Sequence, residues 1–307
     1  MQQITQNILM IRPAHFGFNQ ETAKNNSFQV NDHSISPLEI TSMALQEFDQ
    51  FVNLLRAKGV NVMVIEDNPN VKKPDAVFPN NWISFHQDGT LITYPMFSEV
   101  RRKERDESII KEIENKFKVE QRYSLEQYEF EDQFLEGTGS MVLDRKNKVV
   151  YACLSPRTDA RVLNKFCVLR GFDSVIFFAK DETGKDIYHT NVMMALATDY
   201  AVINLQAITN EEERNKVVSR LKSTNKDIIE ISNKQMNAFA GNMLQVQTNT
   251  GIPLLIMSAS AYESLTKSQL ESLEQFNEIV FSPVTTIEKY GGGSVRCMMA
   301  EVFLPRK

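Results

Sequence analysis

The chain has 307 residues, 42% of them hydrophobic, with 34 Lys and Arg against 39 Asp and Glu and a formal net charge of −5. That balance gives no electrostatic reason to bind nucleic acid or an anionic membrane surface, and no apolar run approaches the roughly 18 residues of a bilayer span. With no signal-like segment at Met1–Met10, the chain reads as cytoplasmic, a single domain over 1–307. Its three cysteines, Cys153, Cys167 and Cys297, make no disulfide framework, and the histidines at 15, 33, 86 and 189 have no metal-ligand spacing. Free thiols, no metal and no cofactor are expected.

In chain order, a strand over Ile8–Ile11 is followed by a long polar insertion, 12–37, rich in Asn and broken by Phe16, Phe18 and Phe28. Ala44, Phe48, Phe51 and Leu55 then recur at helical spacing before Gly59, and Val60–Ile65 reads as a second strand leading to Phe-Pro-Asn-Asn81-Trp. A second unit opens with Leu91–Tyr94, continues with Ile109, Ile110, Ile113 and Phe117 on one helix face, and ends in Glu136-Gly-Thr-Gly-Ser140 after an acidic, aromatic insertion at Glu120–Gln133. The third runs from Val149–Leu154 through a helix stopped at Gly171 to Ser174–Phe178 and His189-Thr-Asn191. In the fourth, Tyr200–Leu205 precedes a helix with Thr209 and Glu212 at capping-box spacing, then Ile228–Ile231 and Ala-Gly-Asn242. The fifth comprises Pro253–Met257, a helix with Thr266 and Gln269 at the same spacing, Ile279–Phe281 and Gly291-Gly-Gly-Ser294.

Each unit therefore ends in a tight loop whose last polar residue is Asn81, Ser140, Asn191, Asn242 or Ser294. The intervals between these markers are 59, 51, 51 and 52 residues (140−81, 191−140, 242−191, 294−242). Such spacing indicates an internal repeat more than an ordinary open α/β sheet. Five strand-helix-strand units arranged about one axis would share a core and gather their marker loops near it, giving an α/β five-bladed propeller. Asn242 is expected to have only a structural role there.

Cys297 follows three glycines that let the backbone turn tightly and approach a ligand. A thiol nucleophile needs a base and a later proton donor, which His189 can supply, and Glu136 can orient the imidazole. Arg296, read as lying on a strand, would point to the face opposite Cys297 and is assigned no part in stabilising its thiolate.

Taken together these residues resemble the guanidino-group-modifying, or pentein, superfamily, which includes arginine deiminase, dimethylarginine hydrolase and the amidinotransferases. Glu136-Gly stands at its Glu-Gly-Gly-Asp loop, His189 at its His-x-Asp loop, Gly291-Gly-Gly before its cysteine, and Ser155-Pro-Arg157-Thr158 at its Ser-x-Arg-Thr segment. The resemblance spans essentially the whole chain and implies a catalytic Cys297, His189 and Glu136, no metal, and Arg157 on the carboxylate of a small amino-acid substrate. Two positions depart from the pattern: Phe78-Pro-Asn-Asn81 and His189-Thr-Asn191 carry amides where guanidinium-binding members usually carry aspartates. A neutral amide both donates and accepts, which suits a ureido group, and the chain looks most like the citrulline-utilisation hydrolases. Asn80, Asn26 and Phe28 complete the expected substrate-binding set, with Asn25 and Gln29 beside them as a candidate lid. Arginine dihydrolase or deiminase, amidinotransferase, and non-catalytic amino-acid-binding protein are the alternative functions; the oligomeric state is open.

Overall fold

The computed structural model describes residues 1–32 and 34–307; His33, one of the four histidines, lies outside the described residues. Among the described residues, fifteen strands form five three-stranded sheets of one design. In four of them an inner strand turns back antiparallel onto a central strand, and a crossover helix then delivers an outer strand parallel to the central one. These are β3 (Ile83–Phe85), β4 (Thr90–Thr93) and β5 (Gln121–Ser124); β6 (Val142–Asp144), β7 (Val149–Cys153) and β8 (Asp173–Phe177); β9 (Met194–Leu196), β10 (Tyr200–Ile203) and β11 (Asp227–Glu230); and β12 (Leu244–Gln247), β13 (Pro253–Ser258) and β14 (Glu278–Ser282). The remaining sheet joins opposite ends of the sequence: β1 (Asn7–Arg12) pairs in parallel with β2 (Asn61–Glu66) and antiparallel with β15 (Ala300–Glu301).

The crossover helices are α1 (Pro37–Ala57), α2 (Glu107–Lys116), α3 (Ala160–Arg170), α4 (Glu211–Ser223) and α5 (Lys267–Glu274). α1 buries Ala44, Phe48, Phe51 and Leu55, and α2 buries Ile109, Ile110 and Ile113, as their periodicity requires. Gly171 closes α3 in the left-handed conformation at φ +65°, and Thr266 with Gln269 forms a complete capping box on α5. On α4 the cap lies one residue later than the sequence reading placed it. Asn210 accepts the Glu213 N–H, its short amide reaching the backbone donor directly.

Two expectations need correction. The Glu120–Gln133 segment is not simply an insertion, because Gln121–Ser124 is the outer strand of the second sheet. The segment from Ser294 to Met298 is a succession of turns, so Arg296 is not on a strand; Cys297 N–H bonds Ser294 O at 2.9 Å, and β15 begins only at Ala300.

Contacts between the marker loops run round all five and return to the first. Asn80 Nδ2 meets Thr138 Oγ1 at 3.4 Å, and Thr190 Oγ1 donates to Ser140 O at 2.6 Å. Asn242 Nδ2 donates to Asn191 O at 2.9 Å, while Arg296 N–H donates to Asn242 Oδ1 at 3.1 Å. Last, the ring of Phe78 packs against Gly291 and Gly293 so tightly that a Cβ on Gly291 would lie 2.8 Å from it. Among the described residues, no helix is long and apolar enough to cross a membrane.

Candidate active site

Cys297 is held in its turn with the sulfur facing two side-chain amides. Asn191 Nδ2 lies 3.4 Å from Sγ and Asn242 Nδ2 lies 3.3 Å from it. The orientation of Asn242 is set by its oxygen, which accepts the Arg296 N–H; the NH₂ group is then the nearer to sulfur, with Oδ1 at 3.8 Å. Asn242 is thus more than structural, contrary to the sequence expectation. The equal intervals place it in the ring of loops, but the contact with sulfur depends on how the 294–297 turn folds.

His189 is buried at the start of the short helical turn Thr190–Met193, and its Nε2 is 2.8 Å from Glu136 Oε2. Glu136 is fully buried, and its other oxygen accepts the Phe97 N–H at 3.0 Å. Burial alone would raise the Glu136 pKa. The nearby Arg157 at 3.5 Å, the hydrogen bond to His189 and Arg101 at 3.7 Å overcome that penalty and hold the carboxyl well below its ordinary range. Burial pushes His189 down to about 4, partly offset by Glu136. The imidazole is therefore neutral near pH 7, with its proton on Nε2, which donates to the carboxylate, and Nδ1 bare.

Gly139 has no room for a side chain, since a Cβ there would lie 2.4 Å from Asn81 Nδ2 and 2.8 Å from His189 Nδ1. This places the amide of Asn81 beside the free nitrogen of His189. Asn81 Oδ1 accepts from Arg101 Nη1 at 2.9 Å, and because a guanidinium cannot accept, Nδ2 must be the atom left over. Asn81 Nδ2 and Asn191 Oδ1 are both buried without a hydrogen-bond partner among the described residues.

Arg101 and Asp75 are site residues that the sequence reading missed. Both are buried, and both line a narrow pocket with Asn81, His189, Arg157 and Cys297. Arg101 is gripped by Glu104 through two 2.9 Å bonds, and burial still pushes the Glu104 carboxyl up to about 7. Burial likewise raises the Asp75 pKa, with Arg101 at 3.8 Å opposing; Asn19 donates to its Oδ2 at 2.6 Å, while Oδ1 has no partner among the described residues. Asp75 sits in an apolar stretch, Asp75-Ala-Val-Phe-Pro, which is an unusual place for a carboxylate and was the available signal. Arg101 lies in a charged run whose burial no pattern announces.

Arg157 reaches the same pocket, but the 13–36 loop clasps it. Its Nε donates to Asn25 Oδ1 and its Nη2 to Thr22 O, each at 2.8 Å. Asn26 Nδ2 donates to Gly292 O at 3.3 Å, Gln29 Nε2 donates to Gly291 O at 3.1 Å, and Phe28 packs on Tyr188 and Phe239. Of the expected substrate-binding residues, Asn81, Arg157 and Asn26 line the pocket, Phe28 lines a separate outer recess, and Asn80 and Asn191 line neither, Asn191 reaching the site through the Cys297 sulfur.

Five mixed sheets with a cysteine, a histidine and a glutamate drawn from their marker loops define a protein of the guanidino-group-modifying, or pentein, superfamily. Within it, the model of the N,N-dimethylarginine dimethylhydrolase family, eukaryotic, matches residues 12–304, and the chain belongs to that family. No curated protein matches the sequence. Among solved structures, the N-terminal domain of ArgZ, a cyanobacterial arginine dihydrolase, aligns with TM-score 0.76 at 19% identity, covering 97% of this chain and 98% of that domain. AgrE bound to L-arginine aligns with TM-score 0.76 at 18% identity over 99% of this chain, which spans only 41% of AgrE. A dimethylarginine dimethylaminohydrolase with an S-methyl-L-thiocitrulline adduct aligns with TM-score 0.66 at 16% identity, over 97% of this chain and 100% of that one.

Proposed function

We propose that the chain is a cysteine hydrolase that cleaves the ureido C–N bond of citrulline, within a single domain whose five sheets stand as blades about one axis. The unbroken circuit of loop contacts, from Asn80 to Thr138 and finally from Gly291 to Phe78, supports the propeller arrangement. In this reading His189 Nδ1 takes the thiol proton, and the sulfur of Cys297 attacks the ureido carbon, with Asn191 and Asn242 donating to the negative sulfur. The C–N bond to ornithine breaks as His189 returns the proton to the departing amine, leaving a carbamoyl thioester on Cys297. Water, deprotonated by His189, then releases carbamate, which decomposes to ammonia and carbon dioxide. Glu136 holds the imidazole and balances its charge when protonated.

The observation that carries the choice of citrulline is the complementary pair of unused amide atoms. Asn81 can offer only its NH₂, while Asn191 offers its oxygen. A ureido group has a carbonyl to accept from Asn81 and N–H groups to donate to Asn191. A guanidinium can only donate, so it would leave Asn81 unsatisfied and would sit close to the Arg101 charge. Arg157 supplies the charge for the substrate carboxylate, on the condition that the Asn25 and Thr22 contacts loosen.

Arginine as substrate is the second reading, favoured by the uncommitted Asp75 oxygen in the same pocket and by the fold shared with arginine dihydrolase. Incubation with citrulline, arginine, agmatine and dimethylarginine, with ammonia and ornithine both quantified, separates the two. One ammonia per ornithine from citrulline, with arginine inert, is the expected outcome. Two ammonia per ornithine from arginine at comparable efficiency replaces the citrulline reading with the dihydrolase one.

A further inference from the structure

Behind the 294–297 turn lies a second, narrow recess lined by Thr138, Met194, Gln245, Arg145, Arg296 and Glu301 among others. Its charge is unbalanced. Arg296 Nη2 donates to Glu301 Oε2 at 2.9 Å, and Arg145 Nη2 approaches that same oxygen at 3.7 Å, so two guanidinium groups share one carboxylate oxygen. Arg296 has a further acceptor, Met299 O at 2.9 Å. For Arg145, Glu301 is the ion-pair partner, and at 3.7 Å it is beyond ordinary hydrogen-bond length.

Arg145 is nevertheless only 4% exposed. Its guanidinium lies over the ring of Phe303, 4.2 Å from the centroid, so one flat face is covered and the donors along its edge remain. The polar neighbours cannot supply the missing acceptor. Gln3 spends its oxygen on the Arg145 backbone N–H at 2.7 Å and its NH₂ on Leu143 O, and Gln245 is bonded to Thr198 and Asn277. A buried guanidinium whose edge donors face a recess and find no full partner is a ready-made receptor for an anion.

From this geometry we infer that the recess is a binding site for one small planar oxyanion of the carboxylate type, held by Arg145 and Arg296. The planar fork of Arg145 matches two coplanar oxygens, and the narrow recess admits only a ligand of a few heavy atoms. Arg296 links the two sites: its side chain lines the recess, its N–H fixes Asn242, and Cys297 follows it. Neither the fold nor the cysteine chemistry requires this second site.

Formate is the probe, titrated at constant ionic strength while Tm is followed. A saturable rise is expected in the wild type and equally in Cys297→Ala. In Arg145→Met, which keeps the packing on Phe303 and removes the fork, apparent affinity should fall about tenfold or more. Glu301→Gln, which removes the competing negative charge, should bind formate more tightly. A rise of equal affinity in Arg145→Met, or no rise in the wild type, overturns the inference. If Arg145→Met does not fold, an unchanged or weaker response in Glu301→Gln overturns it by itself.

Discussion

Two amide donors aimed at one sulfur make Cys297 unlike the other cysteines of the chain. Cys153 is fully buried in β7, with burial pushing its thiol up to about 12, and Cys167 lies on α3 with its thiol pushed up to about 11 for the same reason. Cys297→Ala should lower turnover by roughly 10³-fold or more while leaving Tm nearly unchanged, because the pocket beside it already holds open space. Cys153→Ala should do the reverse, costing about 1 kcal/mol or more of stability while retaining the chemistry. Activity surviving in Cys297→Ala would end the covalent mechanism.

The imidazole carries a pH prediction. Its folded pKa, about 4, lies below the ordinary 6.5, so between those values the unfolded chain binds a proton that the folded protein refuses. His189 therefore withdraws stability as pH falls from about 6.5 toward 4. Glu136, held below 4.5, adds stability above that value and loses it as pH falls through its folded pKa, so both groups make acid destabilising. Over the range where the protein stays folded, the acid limb of kcat/KM should lie below pH 5. A limb centred near 6.5 would show that His189 is not the buried neutral base described above.

Substrate charge is also decided residue by residue. The double variant Asn81→Asp with Asn191→Asp should raise the arginine-to-citrulline ratio of kcat/KM, since carboxylates bind a cation with charge-assisted bonds. In Asn81→Asp the new carboxylate would be partly neutralised by Arg101, which now donates to Asn81 at 2.9 Å. Asn191→Asp replaces a donor to sulfur with a negative charge, so the absolute rate should fall even as the ratio rises. An unchanged ratio would count against any role for the two amides in selectivity.

At the level of elements, glycines in the marker loops separate chemistry from folding. The nearest atoms to a Cβ on Gly139 would be side-chain atoms of Asn81 and His189, whereas one on Gly241 would lie 2.3 Å from Val192 O and 2.8 Å from Met193 Cα. Side chains can rotate away and backbone cannot. Gly139→Ala should therefore fold but lose activity by about 10²-fold through displaced catalytic geometry, while Gly241→Ala should lower Tm sharply or fail to fold. Circular dichroism melts beside turnover assays check this, and the opposite ranking would refute it.

Elements also differ in how plainly they can be read from sequence. Helices α1 and α2 bury one face each, so their apolar period announces them, and central strands such as β7 are continuous apolar runs. By contrast β5 is Gln-Arg-Tyr-Ser, an edge strand whose residues are exposed or half-buried, and only its pairing with β4 makes it a strand. Glu136, His189 and Cys297, which the fold brings to one place, were legible as candidates because each sits in a short glycine-containing or polar loop at a regular interval. Arg101 was not, since its burial and its approach to Asp75 across 26 residues (101−75) are encoded by no local pattern, while Asp75 left only the weak signal of a carboxylate in an apolar stretch.

For the molecule as a whole, the repeat distributes the candidate site over every sheet. Asn81, Glu136, His189, Asn242 and Cys297 each come from a different marker loop, and the hydrogen bonds from His189 to Glu136, Asn242 to Asn191 and Arg296 to Asn242 cross between neighbouring sheets. Rigidity of the site is thus a property of the complete ring of loops, and no isolated pair of sheets contains both nucleophile and base in their working positions.

The pairing of β1 with β15 sets an order of events in time. Leu9 waits for Ala300, a partner 291 positions away (300−9), so this ladder is the most non-local one in the chain and the last whose two strands both exist during synthesis. The thiol, three residues before Ala300, is fixed by the same closure, and a nascent chain carrying four finished sheets has no assembled nucleophile. Maturation of the site should then lag behind maturation of the core. Trp82 packs with Leu9, Ala300 and Val302 and so reports the closure itself, whereas far-UV circular dichroism reports the sheets and helices completed before it. After dilution from denaturant, the circular dichroism signal should recover before substrate protection of Cys297 against iodoacetamide does. Simultaneous recovery would mean that ring closure is part of the folding nucleus and not its final step.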